Sequence, residues 1–172
     1  MTGTSDRAHG HPAALDPELL LRQCQSYRSR RAGPGGQHRN KVETGITLEH
    51  RPSGIRASAT ERRSQAQNRR IALFRLRLSL ALDVRQPVSA EYTVSLLWRS
   101  RCRHGAIVCN PKHDDFPALL AEALDVLTSH GFEPRRAAAL LGCSATQLVK
   151  LIKLAPPALA IVNERRTECG LH

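Results

Sequence analysis

Apolar side chains return at helical spacing over residues 65–84, where Ile71, Phe74, Leu78 and Leu82 make one continuous face and Ser64 stands ready to cap the first turn. The stretch Phe74, Leu76, Leu78, Leu80, Leu82 also alternates as a strand would. The wealth of Leu, Ala, Gln and Arg and the scarcity of β-branched residues decide for a helix. Earlier, residues 13–27 predict another helix, with Asp16 as cap, Pro17 in the first turn, and Leu19, Leu20, Cys24 and Tyr27 along one side. Three glycines and a proline within residues 33–36 break the pattern and predict a loop. Val42, Thr44, Ile46 and Thr47 then predict a strand over residues 42–48. Arg51-Pro52-Ser53-Gly54 reads as a tight turn, and residues 55–60 as the second strand of a hairpin.

Beyond Gln86-Pro87 the pattern changes. Residues 92–98 and 106–109 read as short extended segments around His104-Gly105, and after Pro111 the chain turns helical. The predicted helices span residues 117–130, ending at Gly131, residues 134–141, ending at Gly142, and residues 145–154, capped by Ser144. Pro156-Pro157 opens a last one that ends near Gly170. The fold class expected is α+β: a short antiparallel sheet packed by a helix, followed by an all-α module resembling a helix-turn-helix. The expected organisation is an amino-terminal segment with the start of the leading helix (1–21), a first domain (22–85), a linker (86–112) and a helical module (113–172).

Charge sharpens this division. The 172 residues carry 26 Lys and Arg against 15 Asp and Glu, a net of +11. Residues 22–85 hold 15 basic and four acidic residues, so a net of +11 sits there, while residues 1–21 carry −2 and residues 86–172 carry +2. A field so concentrated points to nucleic-acid phosphates. No stretch approaches the roughly 18–20 apolar residues of a membrane span. Met1 to Pro12 lacks the apolar core of a signal peptide, and the five cysteines are odd in number and scattered, so reduced thiols in the cytoplasm are expected. Aromatic residues make up only 3%, which leaves arginine rather than stacking to hold a nucleic acid.

The candidate chemistry lies in Gly35-Gly36-Gln37. Adjacent glycines permit positive φ and let a backbone N–H approach a substrate with no Cβ in the way. Glutamine has no titratable group and cannot act as a general base. What such a loop offers is a donor for developing oxyanion charge and an amide side chain that selects what enters the site.

The run Gly33-Pro34-Gly35-Gly36-Gln37-His38-Arg39-Asn40-Lys41, the later His50-Arg51-Pro52-Ser53-Gly54-Ile55, and Arg63-Ser64-Gln65 with Asn68 and Arg69 follow one another in order. Together they resemble the GGQ catalytic domain of the class I peptide chain release factors and of the related codon-independent ribosome-rescue peptidyl-tRNA hydrolases, over roughly residues 22–85. The resemblance implies a loop held in the peptidyl transferase centre of the large ribosomal subunit. There the Gln37 backbone amide would help stabilise the transition state as water attacks the ester of peptidyl-tRNA, and its side chain would exclude larger nucleophiles. Gly35, Gly36 and Gln37 are thereby the catalytic candidates, and neither metal nor cofactor is required. Candidates for rRNA contact are Arg28, Arg30 and Arg31 before the loop, and His38, Arg39, Asn40 and Lys41 after it. Arg62, Arg63, Ser64, Gln65, Asn68, Arg69 and Arg70, around the start of the second helix, complete the set. Arg39 departs from the family pattern, which usually has an apolar residue there.

Stop-codon-reading release factors carry a decoding domain and a long helical amino-terminal domain, and neither is expected here. The activity expected is therefore codon-independent hydrolysis by a monomer whose partners are the ribosome and peptidyl-tRNA. The basic tail of some rescue hydrolases also has no counterpart in the helical, nearly neutral carboxyl region.

Residues 134–148 resemble a helix-turn-helix in which Thr146, Gln147, Lys150 and Lys153 would project toward nucleic acid, although a merely packed helical pair fits the weak charge of this half better. Cys102, His104, Cys109 and His113 lack the spacing of a zinc knuckle. Trp98 reads as packing, and Asp114 and Asp115 as favouring a helix start. The rival function is a non-catalytic nucleic-acid-binding protein, either a helix-turn-helix regulator or a ribosome-assembly factor.

Overall fold

The computed structural model describes residues 10–29 and 43–171. A 3-10 turn, Pro12–Ala14, precedes α1, Pro17–Arg22, which Asp16 caps through its side chain and Pro17 opens. The chain then enters a three-stranded antiparallel sheet in the order β1 (Cys24–Ser29), β2 (Gly45–His50), β3 (Arg56–Ala59). The leading helix is therefore shorter than its periodicity predicts. Gln23 closes it by donating to Leu20, and Cys24 to Ser29 take up a ladder with β2 that no local pattern announces. Tyr27, read as part of a helical face, instead stands opposite Thr47 on an exposed strand.

The β2–β3 hairpin matches expectation. Gly54 adopts φ +71, the left-handed region glycine tolerates, and donates its N–H to the His50 carbonyl at 2.8 Å. Ser64 caps α2, Gln65–Asp83, as predicted. The face that α2 buries is offset from the predicted one, with Asn68, Ala72, Leu76 and Leu80 at successive i, i+4 positions inside. Ile71, Phe74, Leu78 and Leu82 are only half-buried. The offset arises because α2 packs on β2 and β3 with one side and on a later helix with another.

After α2 the last three residues of the predicted extended segment at 92–98 instead begin α3, Leu96–Arg101. Ser95 caps it, its hydroxyl accepting from Trp98 N at 2.9 Å. Trp98 packs as expected, buried, with its indole N–H donating to the Leu141 carbonyl at 2.8 Å. A small hairpin, β4 (Cys102–Arg103) and β5 (Ala106–Ile107), turns through His104 at φ 50 and Gly105 at φ 74. Four helices follow: α4 (Phe116–Ser129), α5 (Pro134–Leu141), α6 (Ala145–Lys153) and α7 (Pro156–Glu168). Gly131 and Gly142 close α4 and α5 at positive φ, and Ser144 caps α6. Asp115 stands at the cap position of α4 but does not cap with its side chain, which is taken by Arg101.

One apolar cluster runs from Ile46, Leu48 and Ala59 of the sheet through Leu76 and Leu80 of α2 to Leu120 and Leu124 of α4 and Leu148 of α6. Buried polar groups cross the same junction. Arg77 donates to the carbonyls of Ala13 (2.9 Å) and Asp114 (2.7 Å), and Arg85 to Asp125 (3.3 Å). Burial lowers the pKa of both guanidinium groups below the ordinary value.

Candidate catalytic and RNA-facing site

The catalytic candidates Gly35, Gly36 and Gln37, and with them Arg30, Arg31, His38, Arg39, Asn40 and Lys41, lie outside the described residues. What the fold defines is the frame on which they are mounted. The connection leaves β1 at Ser29 and returns to β2 at Gly45, and these two residues are partners in the ladder. Its ends are therefore anchored side by side on adjacent strands, so both stems share one rigid support.

Gly45 has no room for a side chain. A Cβ built there would strike the Ser29 hydroxyl, and would lie 2.9 Å from the Ser29 carbonyl and 3.0 Å from the Thr60 methyl. A glycine inside a strand is the sequence signal of such a close approach, and it was the clue to a residue absent from the site expected from sequence.

The first turn of α2 holds the returning stem. Asn68 is fully buried; its amide N–H groups donate to the carbonyls of Thr44 (2.6 Å) and Arg62 (2.9 Å), and its carbonyl accepts from Arg62 N (2.9 Å). Gln65 donates to the Glu43 carbonyl at 2.7 Å. Ser64 spends its hydroxyl on the cap, accepting from Gln67 N. Asn68, a candidate for RNA contact, thus spends these hydrogen-bonding groups internally and braces the segment that leads from the connection into β2. Gln65 and Ser64 are engaged in the same bracing.

Arg28, Arg62, Arg63, Arg69 and Arg70 are all exposed, and none forms an ion pair among the described residues. The acids near them have other partners. Glu49 accepts from Arg56 (2.9 Å) and from the Tyr27 hydroxyl (2.8 Å), which holds its carboxyl below the usual range. Glu61 accepts from its neighbouring backbone and pairs with Arg75, again lowering its pKa. Among the described residues Arg28, Arg62, Arg63, Arg69 and Arg70 are thus left without an ion-pair partner.

His50 carries the middle motif. Its ring accepts from the Ser53 hydroxyl at 2.7 Å through Nδ1 and donates to Gln23 Oε1 at 3.0 Å through Nε2, the tautomer that satisfies both partners. Arg51 reaches the Arg22 carbonyl at 3.0 Å. The motif thus locks the β2–β3 turn to the end of α1, and burial lowers the His50 pKa, which favours the neutral ring.

Chemistry by other groups finds little support. Burial raises the thiols of Cys24, Cys102, Cys109 and Cys143, the last to about 11, so these remain protonated and poor nucleophiles at neutral pH. Cys102 donates to the Gly142 carbonyl, and Cys109 to that of Asn110. Among the described residues no helix is long and apolar enough to cross a membrane.

Comparison with known proteins agrees with this frame. The family model of the RF-1 domain matches residues 19–95. Peptide chain release factor 1 of Chloroherpeton thalassium is 45% identical over 73 residues, covering 40% of this chain and 20% of that protein. The corresponding factor of Chlorobaculum tepidum is 51% identical over 73 residues, with the same coverage of 40% and 20%. The chloroplastic peptide chain release factor PrfB1 of Arabidopsis thaliana is 40% identical over 63 residues, covering 37% and 14%. The chain spans about a fifth or less of the length of these relatives. The matched region takes in the glycine-rich segment, the His50 turn and the first turns of α2. Residues 19–95 thus match the RF-1 domain and resemble the corresponding stretch of peptide chain release factors.

Proposed function

We propose that the protein hydrolyses the ester of peptidyl-tRNA on the ribosome without reading a stop codon, acting in the cytoplasm as a rescue factor. The observation that carries this reading is the pairing of Ser29 with Gly45, which mounts the ends of the Gly-Gly-Gln connection on adjacent strands, in a region whose exposed arginines form no ion pair among the described residues. In this reading Arg28, Arg62, Arg63, Arg69 and Arg70 grip rRNA phosphates. The Gln37 backbone N–H donates to the oxyanion that forms as water attacks the ester carbonyl. The glycines at 35 and 36 admit the reacting carbonyl, and the Gln37 side chain restricts the nucleophile to water. No group of the protein has to exchange a proton with the substrate, and no cofactor takes part.

Support for codon independence comes from the packing of the helical half. Among the described residues it shares its core with the RF-1 domain through α2 and α4, rather than forming a separate body that could read a codon at a distance from the loop.

The test is peptide release from ribosomes carrying peptidyl-tRNA with no stop codon in place. The wild-type chain should release peptide, and Gly36→Ala, whose added methyl would keep the reacting carbonyl from the Gln37 N–H, should cut the rate by about 10²–10³, the effect of losing one oxyanion donor, while ribosome binding persists. Binding without release by the wild type would instead favour the non-catalytic reading, a ribosome-assembly factor whose glycine loop merely touches rRNA.

A further inference from the structure

The carboxyl half has ten basic and eight acidic residues over 86–172, a balance that by itself argues against a polyanionic partner. Folding changes that balance at the surface. Glu122 and Asp125 are buried, at 2% and 1% exposure. Glu122 accepts from the Tyr92 hydroxyl, the Ser95 backbone and the Ser95 hydroxyl, and Asp125 accepts from Arg85 and Gln86. Asp115 is paired with Arg101 at 2.5 Å and Glu168 with Arg165 at 2.9 Å. Half of the acids are spent in this way, with Arg101 and Arg165 as the cations of this half that pair with them.

The cations that remain are not scattered. Residues 92–113 and 134–163 contain no Asp or Glu at all, and the fold brings these two segments together. Ser144 N donates to the Gly105 carbonyl at 3.2 Å, and Cys102 and Trp98 both reach carbonyls at the end of α5. The tip of the β4–β5 hairpin, with Arg103 and His104 exposed, therefore sits beside the turn that starts α6. On α6, Leu148, Leu151 and Ile152 enter the core while Thr146, Lys150 and Lys153 stay exposed on the opposite side. Arg103, Lys150 and Lys153 form no ion pair among the described residues.

We propose that the hairpin tip and the exposed side of α6 form a second RNA-binding surface, in which Arg103, Lys150 and Lys153 contact phosphates. One feature fits a phosphate backbone better than a protein partner: the surface presents cations with no acid in either contributing segment. The choice of RNA over DNA rests on the ribosomal reading above. Attachment at two separate points would raise the effective concentration of the catalytic loop at its target, giving the helical half a positioning role.

The experiment compares the full-length wild type with the Arg103→Gln/Lys150→Gln/Lys153→Gln variant in binding a short fluorescein-labelled RNA duplex, the equivalent DNA duplex and purified ribosomes, each across a salt series. The three side chains are exposed, so the fold should survive; circular dichroism checks this, and Lys150→Arg/Lys153→Arg supplies a variant that keeps the charge. The triple variant should bind the RNA duplex at least tenfold more weakly, with a log–log salt slope shallower by about two to three. The arginine variant should retain wild-type binding, and half-maximal peptide release should require more of the triple variant. Unchanged RNA affinity and slope in the triple variant would overturn the surface. Tighter binding of DNA than of RNA, lost in the same variant, would overturn the assignment to RNA. If the wild type released no peptide but the triple variant still lost RNA affinity, the ribosomal reading would fall and the RNA surface would stand.

Discussion

The Asn68 amide donates to the Thr44 carbonyl at 2.6 Å, joining the first turn of α2 to the residue that leads from the glycine-rich connection into β2. Two further bonds to Arg62 make the same side chain the clasp of the turn between β3 and α2.

Replacing Asn68 by Ala strands the Thr44 and Arg62 carbonyls and the Arg62 N–H. With each buried orphan costing about 1–3 kcal/mol, and some of the three regaining water, a loss of about 3 kcal/mol is expected in urea denaturation. Wild-type stability in Asn68→Ala would show that the clasp contributes nothing.

Gly45→Ala tests the close approach of the two loop stems. The added methyl meets the Ser29 hydroxyl and carbonyl, and overpacking of this kind costs roughly 1–3 kcal/mol. Ser29→Gly removes only the side-chain half of the clash, so the double variant should recover part of the lost stability. A Tm of Gly45→Ala equal to that of wild type would refute the contact.

Electrostatic grip by the arginine face predicts a strong response to salt. If about five phosphates are neutralised, the log–log slope of ribosome affinity should lie near −3.5 to −4.5, and each of Arg62→Gln, Arg63→Gln, Arg69→Gln and Arg70→Gln should flatten it by about one. Slopes that do not move with these substitutions would place the rRNA contact elsewhere.

His50 sets a pH dependence. Its folded pKa is lowered from the ordinary 6.5 by burial, so between the two values the unfolded chain binds more proton. The stabilisation is fully present above about 6.5 and is lost as pH falls below that value toward the folded pKa. Unfolding free energy measured from pH 8 to 5 should therefore decline at the acid end, less so in His50→Gln. Equal declines in the two proteins would remove His50 as the cause.

The shared core from the sheet through α2 to α4 predicts a single cooperative transition. Calorimetry should give one peak, with the calorimetric and van't Hoff enthalpies equal. Two resolved peaks would mean that the halves unfold independently.

Features encoded within a few residues were legible from sequence alone. The Ser64 and Ser144 caps, the positive-φ stops at Gly131 and Gly142, and the Gly54 turn each satisfy local backbone groups, so nearby residue types announce them. The Gly-Gly-Gln run, its companion motifs and the concentration of charge between residues 22 and 85 were likewise visible, because they reside in the order of residues. The tertiary structure decided whatever depended on a distant partner. Cys24 to Tyr27 reads as helix until β2 supplies its hydrogen bonds. Leu96 to Arg101 becomes helical where Ser95 engages Glu122 and Trp98 reaches Leu141 across the core. The face α2 buries follows from what packs on each side of it, and Asn68, a candidate for RNA contact, is a buried clasp for the same reason. Surface charge obeys this rule too: the sequence counts carboxylates, while only folding determines that Glu122 and Asp125 go inside and that Glu49 and Glu61 pair with Arg56 and Arg75.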